Sequence, residues 1–204
     1  APLDLKVMMQ LENNLVLFDT ATGEPIEQIY CRGLDRGPLA ALPTTIMPLS
    51  SFRALYPQGR IFWNPPAGLL DRQVRGILNR LLFAKGGHFD PTNPKPAFPT
   101  IAHTDPRVPP KEPVYGIALG EEAIAFTQGY LQSHGGAVTE TLGGKTFTVK
   151  HFPTYGFVDV FEGAVPDVDP YGLAGGTQVP RLPHANQVLW IIWANFYRGT
   201  AVRA

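Results

Sequence analysis

"TLGGKTFTV", residues 141–149, carries a Gly-Gly-Lys-Thr that could close a phosphate loop or turn a hairpin. A phosphate loop needs G-x-x-x-x-G-K-[ST] between a strand and a helix. The first glycine of that pattern would stand at position 139, which is Thr139. Phe147, Thr148, Val149 and Lys150 follow, apolar alternating with polar, and this reads as a strand. A strand offers none of the helix N-terminal amides on which phosphate rests. Residues 138–142 are also strand-like. Gly143 and Gly144 between the two predict a two-residue β-hairpin in which glycine supplies positive φ.

Outward from the hairpin, residues 114–119 and 157–161 read as strands. Residues 120–122 turn into residues 123–126, with a short helix to Gln132. Residues 167–177 read as a glycine-rich loop. Residues 186–197 predict a helix apolar on nearly all sides, through Val188, Leu189, Trp190, Ile191, Ile192, Trp193 and Phe196. Such a helix belongs in a core or an interface. In the first part, residues 5–9 and 14–18 read as strands around a turn at 20–23. A short helix opens at 48–51 and is stopped by Pro57 and Gly59, and a strand is expected over 60–63. Residues 68–83 form the clearest amphipathic helix. Leu69, Leu70, Val74, Ile77, Leu78, Leu81 and Leu82 recur at helical spacing, with Arg72, Arg75 and Arg80 elsewhere on the wheel. Residues 88–113 hold eight prolines, so they are neither regular helix nor central strand. They are expected to run extended over a surface.

The chain has 204 residues, with 17 Lys+Arg against 17 Asp+Glu. Zero net charge argues against nucleic acid as the main partner, since phosphate neutralisation needs a basic surplus. Charged residues are 17% and glycine and proline 21 each, which predicts a turn-rich chain of short strands. One cysteine, Cys31, excludes an internal disulfide and a cysteine-based zinc site. No apolar run reaches membrane-spanning length. The Ala-Pro start without Met reads as a processed end, left by a signal peptidase or another precursor cleavage.

"LPTTIMPLSSFRALYPQG" (42–59) aligns without a gap on "LPHANQVLWIIWANFYRG" (182–199), an offset of 140. Leu49 falls on Leu189, Phe52 on Ile192 and Tyr56 on Phe196. This predicts two related strand-rich units, each ending in a Leu-Pro-helix, in a β-rich α+β fold. Residues 1–63 are a first unit truncated at its N-terminus. Residues 64–111 are an inserted helix and Pro-rich arm, and 112–204 a complete second unit, all in one globular body.

Four segments carry a family likeness: "NLVLFDTATGEPIEQ" (14–28), "DPRVPPKEPVYGIALGEEAIAF" (105–126), "VTETLGGKTFTV" (138–149) and "WANFYRGT" (193–200). They resemble domain-of-unknown-function family 3179, bacterial proteins mostly expected to be exported and built of two strand-rich copies. The resemblance implies that fold and an extracytoplasmic place; it implies no activity. The family's Tyr-Cys-Pro-Leu-Cys-Gly segment has no match here, so no role resting on those cysteines is carried over. Pro25-Ile26-Glu27-Gln28 also stands where the family has Trp-Ser-Gln.

Several residues could carry chemistry. His88 with Asp90, and His103 with Asp105, are His-x-Asp pairs. Imidazole plus carboxylate at i and i+2 is a sensible divalent-metal set. The alternative is that both aspartates start turns. Asp167, Asp169 and Gly172 fall short of a calcium loop, and residues 172–176 are not a dinucleotide fingerprint. Cys31 could be a nucleophile or a small buried hydrophobe. Glu121-Glu122 could supply a base or face water, and Lys111-Glu112 reads as a loop anchor. Trp190 and Trp193 are core residues or interface anchors.

The expectation is a non-catalytic extracytoplasmic structural or accessory subunit of a larger assembly, without a cofactor. Its partners would be other protein subunits or a second copy, at an interface of Leu5, Val7, Met9, Trp190 and Trp193. It would not span a membrane, although a place on a membrane complex fits. The competing reading is a metal-binding protein or metal-dependent enzyme using His88, Asp90, His103 and Asp105.

Overall fold

In the computed structural model strand outweighs helix, 34% to 20%, so the chain is a β-rich α+β fold. The structure describes residues 5–30, 32–33, 37–39, 41–62, 68–87, 90, 92–96 and 99–204. The chain opens with a five-stranded antiparallel meander: β1 (Leu5–Leu11), β2 (Asn14–Asp19), β3 (Pro25–Glu27), β4 (Arg32–Gly33) and β5 (Gly37–Pro38), in that spatial order. Glu12 and Asn13 turn the first hairpin, with φ of 49° and 65°, as a tight two-residue turn requires. Among the described residues β1 pairs with β2 alone and is an edge, bulged between Val7 and Met9.

Two helices follow, α1 (Leu49–Leu55) and α2 (Leu69–Phe83). Then comes the C-terminal body: β6 (Pro113–Leu119), β7 (Glu122–Thr127), α3 (Gln128–Ser133), β8 (Ala137–Leu142), β9 (Lys145–Phe152) and β10 (Phe157–Glu162). A small hairpin, β11 (Leu173–Ala174) and β12 (Thr177–Gln178), leads to β13 (Ala185–Leu189), α4 (Trp190–Phe196) and β14 (Ala201–Arg203). The main sheets run β13-β6-β7-β14, with β14 parallel to β7, and β10-β9-β8. Gly143 and Gly144 sit between β8 and β9 with φ of 55° and 74°, and Leu142 pairs with Lys145 across the turn. The lysine therefore starts a strand, not a helix.

One core packs Ile117, Phe126, Leu131, Phe147, Val149 and Val160 between the two main sheets. A second gathers Phe152, Phe157 and Phe161 with Leu55 of α1. The third sets Trp190 and Trp193 against Val114 and Ala125. Trp193 lies flat on Gly116, where an added Cβ would stand 2.3 Å from the ring. Only glycine lets the backbone and indole approach so closely.

Four expectations are corrected. The helix expected over 186–197 begins only at Trp190. Its first part is β13, antiparallel to β6 and bulged around Gln187 at φ 57°. The amides of Trp190 and Ile191 donate to the carbonyls of Glu112 and Pro110, at 2.9 and 2.8 Å. Those carbonyls supply what a side-chain N-cap would otherwise give. Trp190 and Trp193 are core residues of this chain, 0% and 1% exposed, and not interface anchors. Their indole N–H groups are satisfied internally, by the Asp105 carbonyl (2.9 Å) and the Thr200 hydroxyl (3.1 Å). Residues 60–62 form no strand, and Trp63 lies outside the described residues. The loop expected over 167–177 contains β11 and the start of β12, drawn into a hairpin by its glycine turn.

Candidate functional site

A cleft of about 890 Å³ lies between the meander and the C-terminal body. Glu12, Tyr30, Glu121, Asn195, Tyr197 and Arg198 are among its lining residues. Glu12 comes from the strained β1–β2 turn and Glu121 from the β6–β7 turn. Asn195 and its successors come from the end of α4.

Buried polar groups aim these residues. Glu27, 1% exposed, accepts from the amides of Ile29 (2.8 Å) and Tyr30 (2.6 Å) and from the Asn14 side chain. A carboxylate taking several donors fixes a turn firmly, and this turn delivers Tyr30 to the cleft. The Tyr30 ring meets Phe196 and Tyr197 edge-on, both at 5.3 Å, and its hydroxyl donates to the Phe196 carbonyl at 2.7 Å. Asn195, 2% exposed, accepts from the amides of Ala102 (3.0 Å) and His103 (2.7 Å) and donates to the Glu12 carboxylate. Asn13 donates to the Thr100 hydroxyl from its amide (3.1 Å) and its side chain (3.0 Å). One asparagine thus ties the meander, the Pro-rich arm and α4 together. The lining includes carboxylates, a guanidinium and aromatic rings, but no Cys, Ser or His among the described residues.

A second polar centre lies where the two Leu-Pro segments meet. Asp159 on β10 is fully buried. It accepts from the Arg181 guanidinium (2.6 Å), the Thr45 hydroxyl (2.9 Å) and the Val160 amide (3.0 Å). Arg181 also lies over the Phe161 ring at 5.3 Å. His184 nearby shares its Nδ1 with the Leu182 carbonyl at 3.1 Å. Burial pushes its pKa below the usual histidine value, against the opposing pull of the Leu182 carbonyl and the Asp159 charge. If Nδ1 donates to that carbonyl, Nε2 is left buried without a hydrogen-bond partner among the described residues.

The model of the family described as "Protein of unknown function (DUF3179)" matches residues 1–200. The chain belongs to the DUF3179 family. No curated protein and no solved structure matches it. The DUF3179 segment Pro109-Pro110-Lys111-Glu112 now has a structural role, since two of its carbonyls cap α4. Lys111 itself is 3% exposed, its Nζ 3.4 Å from the Gly87 carbonyl. Burial lowers its pKa, and the Asp90 charge opposes that shift.

The expected metal set is not brought together among the described residues, where no cluster of three or more possible ligands occurs. His88 and Cys31 lie outside the described residues. Asp90 is a turn starter, accepting from the amides of Gly86 and Thr92 and from the Thr92 hydroxyl. Those bonds, Gly86 first, hold its carboxyl below the ordinary range. Asp105 is bidentate to Arg107 at 2.6–3.0 Å, and that pairing holds its carboxyl low too. Leu5, Val7 and Met9 lie exposed on β1. Sequence reading missed Glu12, Tyr30 and Asn195. Asn195 stood as a polar break within an otherwise apolar helix, the one signal that pointed to it.

Proposed function

We propose that the chain is a non-catalytic, extracytoplasmic structural or accessory subunit of a larger protein assembly. The observation that carries this reading is β1. It is an edge strand whose Leu5, Val7, Met9 and Leu11 are 41–66% exposed. The bulge sends Leu5 and Val7 to one face and Met9 and Leu11 to the other, so each face of the edge carries apolar side chains. Unpaired strand edges with apolar side chains invite another chain to add on. A partner seated along β1 would bury on the order of 1,000 Å² or more. The extracytoplasmic part rests on the family resemblance.

The two-unit reading belongs to the same proposal. Both α1 and α4 are seven-residue helices that follow a Leu-Pro at nearly the same distance. Residues of the two Leu-Pro segments touch, the Asn186 side-chain Nδ2 donating to the Thr44 carbonyl at 3.5 Å. At the offset of 140 the counterpart of Asn186 is Ile46, two positions from Thr44, so the contact joins neighbouring parts of the two segments.

Light scattering at micromolar concentration tests the assembly reading, with Val7→Lys and Met9→Lys as probes. The expected result is a mass above one chain that falls to one chain in both variants. A monomeric wild type whose residues 5–11 are protected from hydrogen exchange by its own chain would overturn it.

A further inference from the structure

The fifteen-residue α2 buries none of its residues. Leu69, Leu70, Val74, Ile77, Leu78, Leu81, Leu82 and Phe83 are 37–77% exposed. At 3.6 residues per turn, Leu70, Val74, Ile77, Leu78, Leu81 and Leu82 form a stripe roughly 140° wide, interrupted by Asp71 in its first turn. An isolated helix of this length is marginal in water, so its stripe calls for a cover that the described residues do not provide.

Charge indicates which cover. Residues 69–87 hold four cations, Arg72, Arg75, Arg80 and Lys85, against one acid, Asp71. The rest of the chain then holds 13 cations against 16 acids, so the basic surplus is confined to this segment. Asp71 is ion-paired with Arg75 at 3.1 Å, which leaves the outward charge of the helix positive. Arg80 falls beside one margin of the stripe and Arg75 beside the other. Arginines there can lay their stems on hydrocarbon and reach phosphate with their heads. No helix among the described residues is long and apolar enough to cross a membrane. A wide aliphatic stripe with flanking arginines has the form of a helix lying in a lipid interface. A protein groove would instead be met by a narrow row of anchors, with aromatics at its centre.

We propose that α2 is an in-plane anchor that seats the protein on an anionic lipid surface. The apolar stripe would enter the acyl boundary while Arg72, Arg80 and Lys85 face the head groups. This surface is separate from β1, and the proposal does not depend on what pairs with that edge.

Flotation of the full chain with vesicles tests it, using phosphatidylcholine alone or with phosphatidylglycerol, at low and high salt. Binding is expected only to the anionic vesicles and should weaken as salt rises. Each charge removed in Arg72→Gln and Arg80→Gln should weaken it about fivefold. Ile77→Asp with Leu81→Asp should abolish it. Circular dichroism should show these variants folded, because no core residue is touched. Equal binding to both vesicle types, or binding that survives the double aspartate variant, would overturn the proposal. So would an absence of vesicle binding, including the case in which the wild type forms a dimer that the double variant dissolves; α2 would then be a protein interface.

Discussion

The seven-residue α4 has six buried residues, whereas the fifteen-residue α2 has none. Both read from sequence as helices that need an apolar cover. The difference lies in what surrounds them. α4 is gripped by β6 beneath it, by the carbonyls of Pro110 and Glu112 at its start and by Tyr30 beside its end. A hydrophobic stripe states that a face must be covered; only long-range contacts decide by what.

The contrast can be broken most directly at Trp193. Trp193→Ala is expected to destabilise by about 3–5 kcal/mol in denaturant unfolding, because it removes a large buried side chain and leaves a cavity. A loss below about 1 kcal/mol would mean that α4 is no better anchored than α2. Gly116→Ala should cost about 1–3 kcal/mol by overpacking, since its new methyl would meet the Trp193 ring. Gly144→Val should cost a similar 1–3 kcal/mol through backbone strain at φ 74°. Neither glycine change should alter vesicle binding by α2.

A graded effect is expected with pH. Burial lowers the pKa of both His151 and His184, so the folded chain keeps them neutral. The unfolded chain takes up those protons near the ordinary histidine value of about 6.5. Their contribution is full above that pH and is lost as pH falls through the lowered folded values. The unfolding midpoint should therefore drop between pH 7.5 and 5.5, and less steeply in His184→Gln. A midpoint that rises on acidification would contradict the burial of these rings. The smallest effect belongs to α2: Leu78→Ala should change stability by under about 0.5 kcal/mol, and a core-sized loss would show that the helix is covered by its own chain.

The sequence disclosed the elements whose signals are local. The Gly143-Gly144 hairpin follows from glycine's freedom at positive φ, and α2 follows from its period. The start of α4 was not legible, because the apolar run 188–193 fits strand or helix equally. Pairing of Ala185 and Val188 with β6, and two carbonyls nearly eighty residues away, draw that boundary. The cleft was hidden for the same reason. Tyr30 meets α4 across 166 positions and Asn13 meets Thr100 across 87, and no local pattern announces such pairs. The metal set was plausible by spacing, but the geometry gives Asp90 and Asp105 to neighbouring amides and to Arg107.

Hydrogen exchange of the dilute, isolated chain, followed by mass spectrometry, tests most directly whether one part is built to stand alone and another to be covered. The slowest exchange is expected in β6 and α4, and the fastest in β1 and α2, with β1 gaining protection in the assembly recovered from the native source. Equal protection of β1, α2 and α4 in the dilute monomer would contradict it.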